Sequence, residues 1–168
     1  MRLMLLAAPA LLAGCVATAP ITQPPVKMSF QSSDRAGKVT GVETVTVHTR
    51  LATSDHTAEV AAVPCRLSGP GYSATFQTPA ILELPLFGNT APQLSLSCAY
   101  DGETRSRALT ATNVSAQERR EARKEAIEEL SEEGASGTSV LLSIGFGRRG
   151  PRGFDEFDYP NTTFTFRR

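Results

Sequence analysis

Apolar and polar residues alternate along much of the chain, most clearly from residue 45 to 49, from 80 to 86 and from 94 to 100. A period of two places every second side chain on the same face of a strand, so these stretches predict half-buried β-strands. Turn sequences such as Ser68-Gly69-Pro70-Gly71 and Asp101-Gly102 separate them. The pattern predicts a mainly β protein, built as a small antiparallel β-sandwich.

Two cysteines lie within alternating stretches: Cys65 in a strand expected over residues 58–67, and Cys98 in the stretch from 94 to 100. Cys65 and Cys98 both fall on the apolar side of their strands, so both thiols are expected in the interior, on strands of facing or adjacent sheets. A disulfide between them would stabilise the fold by roughly 3–4 kcal/mol. Two unpaired core thiols are the alternative. Neither cysteine has a Cys or His neighbour at zinc-ligand spacing, so no metal site is predicted.

The alternation stops at Ser115, and a helical pattern begins. Ser115-Ala116-Gln117-Glu118 has the spacing of a capping box, and Gly134 ends the pattern. The sequence therefore predicts one charged α-helix, inserted at about residues 115–133. Its apolar residues form a narrow stripe that includes Ile127 and Leu130. These two side chains would either dock the helix on its own sandwich or bind a partner protein.

A basic, glycine-rich stretch follows the helix and contains Arg148, Arg149 and Arg152. Arginines between glycines can make bidentate contacts with phosphate or carboxylate groups. The stretch is a candidate contact for an anionic lipid head group or for another envelope protein. The alternative is an intramolecular contact with the acidic residues 155–158 or with the Glu-rich helix.

The N-terminus has the pattern of an export signal. Met1-Arg2 precedes a short apolar run that ends in Leu12-Ala13-Gly14-Cys15. The run is too short for a permanent membrane span, which needs ~20 apolar residues, so residues 1–14 are expected to be removed. Small residues directly before a cysteine resemble the lipobox of bacterial lipoproteins. That resemblance implies that Cys15 carries acyl chains such as palmitate and becomes the first mature residue.

Residues 15–27 are rich in proline and small residues, so we expect the lipidated cysteine to be followed by an extended tether. Residues 28–168 are then a single domain. Val16 is not an acidic retention signal, so the expected location is the outer membrane, facing the periplasm. Acylation of Cys15 leaves an even pair of cysteines for this oxidising compartment.

The stretch from Cys65 to Cys98 resembles a pattern found in many small bacterial lipoproteins. A glycine turn, the aromatic residue Phe76, Thr78-Pro79, an apolar strand and a Leu-x-Leu-x-Cys strand follow one another. The architecture of this segment is similar to PEGA-type β-sandwich domains, although the glycine that often follows the proline is absent here. The resemblance implies an envelope lipoprotein of unknown function, with no catalytic residues to carry over.

Composition and motifs favour no enzyme class. The formal net charge is +0, so nothing indicates a nucleic-acid partner. His48 is expected on the wet face of a strand, and His56 in a polar loop, with no nucleophile motif beside either. No cofactor is predicted.

We therefore expect a non-enzymatic structural or binding role in the envelope. The first alternative is an accessory subunit of a larger complex, docked through the helix or the arginine stretch. The second is a periplasmic hydrolase that uses His48 or His56.

Overall fold

The computed structural model describes residues 20–132 and 155–168, with the side chains of residues 130–132 left out. The helices and strands are β1 (Val26–Lys27), β2 (Ser29–Phe30), α1 (Ser33–Ala36), β3 (Gly41–Ala52), β4 (Thr57–Glu59), β5 (Val63–Gly69), β6 (Tyr72–Thr78), β7 (Ala80–Leu86), β8 (Leu94–Tyr100), β9 (Glu103–Leu109), β10 (Thr112–Asn113), α2 (Val114–Glu132), β11 (Phe157–Asp158) and β12 (Thr162–Arg167).

The strands form two five-stranded sheets and one short ribbon. The first sheet has the order β1-β7-β3-β12, with β4 also paired to β3, and the second has the order β2-β6-β5-β8-β9. The ribbon pairs β10 with β11. Every pairing is antiparallel except β1 with β7 and β12 with β3. The predicted mainly β fold with antiparallel sheets is confirmed.

The inner faces of the two sheets share one hydrophobic core. Val45 and Leu82 from the first sheet, and Leu67 and Leu96 from the second, are each 0% exposed and belong to the same cluster. They occupy alternate positions of their strands, as the period of two predicts. Among residues 20–132 and 155–168, every buried core residue lies at or after Val45.

A disulfide joins Cys65 of β5 to Cys98 of β8. The two strands are neighbours in the second sheet, and the two cysteines are direct register partners with their Cα atoms 4.1 Å apart. The predicted disulfide is confirmed. The cysteines were expected on strands of facing or adjacent sheets, whereas the structure has a cross-strand bond within a single sheet.

The chain crosses between the sheets where the alternation suggested a single strand. Residues 58–67 were expected to form one strand, but β4 pairs with β3 in the first sheet, whereas β5 belongs to the second. Ala62 adopts a positive φ of 59° at this crossing. Nearby, the hydroxyls of Thr49 on β3 and Thr78 on β6 lie 2.6 Å apart, and both residues are 0% exposed. This buried hydrogen bond links the two sheets.

The first two strands of the described chain join different sheets, and the last strand joins the first sheet. Strand β1 pairs with β7 in the first sheet, and β2, one residue later, pairs with β6 in the second. Val26 and Lys27 are therefore in a strand, although they were assigned to the tether. At the other end, Tyr159 donates a hydrogen bond from its hydroxyl to the backbone oxygen of Pro92, and β12 then adds to β3.

Candidate functional site

Helix α2 begins one residue earlier than predicted and has a different N-cap. The backbone N–H of Ala116 donates to Oδ1 of Asn113, at 2.7 Å. The hydroxyl of Ser115, the predicted cap, instead accepts from the N–H of Glu156 at 2.9 Å. The prediction of Ser115 as the cap is wrong because a backbone group from a distant part of the chain occupies its hydroxyl.

Asp155 holds the first turn of α2 to the end of the domain. Its carboxylate accepts two hydrogen bonds from the Arg119 guanidinium, at 3.0 and 3.1 Å, and one from the Asn113 amide, at 2.8 Å. The hydrogen bond from Arg119, and then the one from Asn113, hold the pKa of the Asp155 carboxyl below its ordinary value. The base of α2 is thus fixed by residues 155–156.

Beyond this base the helix is solvent-exposed. Residues 117–125 are all exposed, and Ile127 keeps 43% of its surface accessible. Ile127 is therefore not buried against the described part of the sandwich. The side chain of Leu130, the other predicted contact, lies outside the described residues.

The charges of α2 are sorted onto opposite faces. Glu118, Glu121 and Glu125 follow one another at spacings of three and four, so they share one face. Arg120 and Arg123 lie half a turn away, and Lys124 and Ile127 extend the same stripe. The helix therefore presents an acidic face on one side and a basic face with an exposed isoleucine on the other.

His48 is paired with an acid. Its Nδ1 lies 2.6 Å from Oε1 of Glu59, and the two side chains are 15% and 7% exposed. His48 lies on the outer face of β3, as predicted. It is nevertheless largely covered, because β4 brings Glu59 beside Arg50, two residues along β3 from the ring.

The His48–Glu59 pair has one feature of a hydrolytic site. A carboxylate on Nδ1 fixes the tautomer and orientation of an imidazole, as in serine hydrolases. Such catalysis also needs a nucleophile in contact with the ring. In the described part of the chain, no hydroxyl or thiol is hydrogen-bonded to His48. The other histidine, His56, lies in an exposed turn with Nδ1 3.2 Å from the hydroxyl of Thr53.

An apolar groove lies where the chain enters the domain. It has a volume of about 310 Å³, and its lining residues are Lys27, Met28, Phe30, Ala36, Val39, Val42, Glu83 and Pro85. Val42 is 54% exposed. This groove was not predicted from the sequence. Val42 nevertheless gave a signal, because it is an apolar residue on the strand face opposite to the buried Val45.

Two more open cavities lie elsewhere on the domain. One, of about 500 Å³, lies on the second sheet beside the disulfide, between Arg66 and Gln77. Another, of about 410 Å³, lies between the edge strands β9 and β12, beside Arg105 and Arg107. Neither histidine lines these cavities or the apolar groove.

Several predicted sites lie outside the described residues. These are Cys15, with the predicted signal sequence before it, and the arginines at 148, 149 and 152. Within the described ranges, no three His, Cys, Asp or Glu side chains are grouped so that they could hold a metal ion. No helix in this part of the chain is long and apolar enough to cross a membrane.

Comparison with known proteins finds no counterpart for this chain: no protein-family model, no characterised protein and no solved structure matches it. The resemblance to lipoproteins with PEGA-type domains therefore stays a prediction that rests on the quoted residues.

Proposed function

We propose that this protein is a lipid-anchored component of a bacterial envelope with a non-enzymatic binding or structural role. The observation that carries the proposal is the use of its three cysteines. Cys65 and Cys98 form a core disulfide, a bond that persists in oxidising compartments outside the cytoplasm. The remaining cysteine, Cys15, stands directly after Leu12-Ala13-Gly14, which is the sequence context for acylation.

Anchoring through Cys15 has a direct test. The full chain is produced in a bacterium with labelled palmitate, and partition into a detergent phase is compared for the natural chain and Cys15→Ser. The natural chain should carry label and enter the detergent phase, since several acyl chains on one residue give stable membrane attachment. An unlabelled natural chain that stays in the aqueous phase would refute the anchor.

The exposed helix favours a second, compatible role as an accessory subunit of a larger complex. Helix α2 projects from a base fixed by Asp155 and leaves Arg120, Arg123 and Ile127 accessible. A stripe of basic residues with an exposed isoleucine suits an acidic partner surface that has an apolar contact. The partner would be another envelope protein.

Pull-down from crosslinked membranes tests this role. The natural chain is compared with Arg120→Glu/Arg123→Glu and with a matched control, Lys38→Glu/Arg66→Glu, which changes the net charge equally at exposed positions outside α2. Proteins recovered by the natural chain and the control, but lost with the α2 variant, would support docking through the helix. Equal recovery by all three chains would exclude this face.

A further inference from the structure

We propose that the apolar groove beside α1 binds part of an acyl chain carried by Cys15 of the same molecule. The inference rests on the lipid anchor proposed above and adds a binding site for the lipid on the protein domain. The groove residues come from three parts of the chain: the β1–β2 segment, the α1–β3 segment and β7.

The walls of the groove suit an aliphatic ligand. Large apolar side chains are prominent among its lining residues: Met28, Phe30, Val39 and Val42. Val42 is 54% exposed, the largest exposure among the big apolar side chains in the described ranges. Its register partner on β7 is Pro85, which also lines the groove. Binding of an apolar ligand over exposed apolar surface in a concave site is favourable, because it removes that surface from water.

The charges at the rim favour a neutral ligand. Lys27 and Glu83 are the charged lining residues, and they are register partners on the neighbouring strands β1 and β7. Their opposite charges offset each other, so the rim does not select an anionic head group. An acyl chain in ester or amide linkage carries no charge, unlike a free fatty acid. The rim therefore fits an esterified chain better than a fatty acid anion.

The position of the groove matches the point of attachment. Cys15 precedes Lys27 by roughly 12 residues, which span at most ~40 Å when extended. Residues 22–25, just before β1, are exposed and in no strand or helix. An acyl chain on Cys15 can thus reach the groove without rearrangement of the core. The volume, about 310 Å³, lies at the lower end of the range for small-molecule sites, so the groove covers only part of one chain.

A dye-binding experiment tests the groove without any lipid modification. The chain from Val16 onward contains every core residue that the structure describes. Its binding of N-phenyl-1-naphthylamine, a neutral dye that fluoresces in apolar surroundings, is measured by titration. A neutral monoacylglycerol should displace the dye. Val42→Glu should weaken binding at least about tenfold, because the new carboxylate must be desolvated in the groove.

Ile127→Glu is the matched control, since Ile127 is the other large apolar side chain exposed in the described ranges, at 43%. This variant should bind the dye as the natural chain does. The proposed site would be overturned if the unsubstituted chain from Val16 does not bind the dye, or if both variants lose dye binding equally.

A second measurement tests whether the chain's own lipid fills the groove. Hydrogen exchange of residues 36–42 is compared between the acylated full chain in phosphatidylethanolamine vesicles and the chain from Val16 mixed with the same vesicles. Slower exchange in the acylated chain, abolished by Val42→Glu, is expected. Equal exchange in both chains would overturn the assignment to Cys15, even if the dye binds, and would leave an aliphatic group of another molecule as the occupant.

The proposed lipid anchor and the proposed groove site can be refuted independently of each other. Labelling with palmitate reports whether Cys15 is acylated, whatever the groove binds. Dye binding by the chain from Val16 reports on the groove whether or not Cys15 is ever modified.

Discussion

Reduction of the disulfide should cost this domain a large part of its stability, with little change in the folded structure. Cys65 and Cys98 are direct partners on two hydrogen-bonded neighbouring strands. Seven-residue strands hold both cysteines in place with or without the bond. The bond therefore acts mainly by restricting the unfolded chain.

The size of the effect follows from the length of the loop that the bond closes. The cysteines are separated by 33 positions. In the chain-entropy model, a loop of this length lowers the free energy of the folded state, relative to the unfolded state, by about 3.7 kcal/mol at room temperature. A domain of ordinary stability has ~5–15 kcal/mol in total, so the reduced protein should still fold.

Urea denaturation of the chain from Val16, with and without dithiothreitol, measures this difference. The two thiols are 5% and 1% exposed, so reduction should be carried out in the unfolded state and confirmed by thiol alkylation before refolding. The free energy of unfolding, extrapolated to zero urea, should be lower by about 3.7 kcal/mol in the reduced protein. Circular dichroism of the two folded forms should agree.

Cys65→Ala/Cys98→Ala is the control, because dithiothreitol should not change its stability. A loss below about 1 kcal/mol on reduction of the natural chain would refute the reasoning. That result would mean that the unfolded chain is already compact around these two strands.

Five substitutions give further tests by urea denaturation or circular dichroism. Gly69→Ala should destabilise the fold by about 1–3 kcal/mol, since the added Cβ would lie 2.7 Å from Cζ of Tyr72. Gly41→Ala should be close to neutral, because the atom nearest to its added Cβ is 3.7 Å away. Tyr72→Phe should be neutral or stabilise by up to about 1 kcal/mol, because this hydroxyl is buried with no hydrogen-bond partner among the described residues. Thr49→Val should cost about 1–3 kcal/mol through its lost inter-sheet hydrogen bond. Because the pKa of Asp155 is lowered, its stabilisation of the base of α2 is present at neutral pH and is lost as the pH falls through that pKa. The stability of Asp155→Asn should lack this part of the pH dependence.

Local pattern was sufficient for most strands and for the disulfide. The period of two around Val45 and Leu96 reflects one dry and one wet face of a sheet, and this property is written in consecutive residues. Cys65 and Cys98 fell on the dry faces of their strands for the same reason. The charged helix was also predictable, with its start within one residue, because it interrupts the alternation.

Capping and docking of that helix depended on distant groups. Ser115 has the right type and spacing for a cap, yet its hydroxyl accepts from Glu156, and Asn113 caps instead. The sequence left open whether Ile127 docks the helix or binds a partner, and the base of α2 is held by a salt bridge from Arg119 to the distant Asp155. Such contacts join residues far apart in sequence, so no local pattern reports them.

The sequence by itself determined the strand faces, the inward cysteines and the charged helix, since each follows from the spacing of neighbouring residues. Only the tertiary structure decided which sheet each strand joins. Residues 58–67 are split between β4 and β5, and this split pairs Glu59 with His48. Strands β1 and β2 pair with different sheets, and Met28 and Phe30 line an open groove there. The physical reason is that sheet membership is set by hydrogen bonds between distant strands, whereas the alternation of side chains is the same whichever sheet a strand joins.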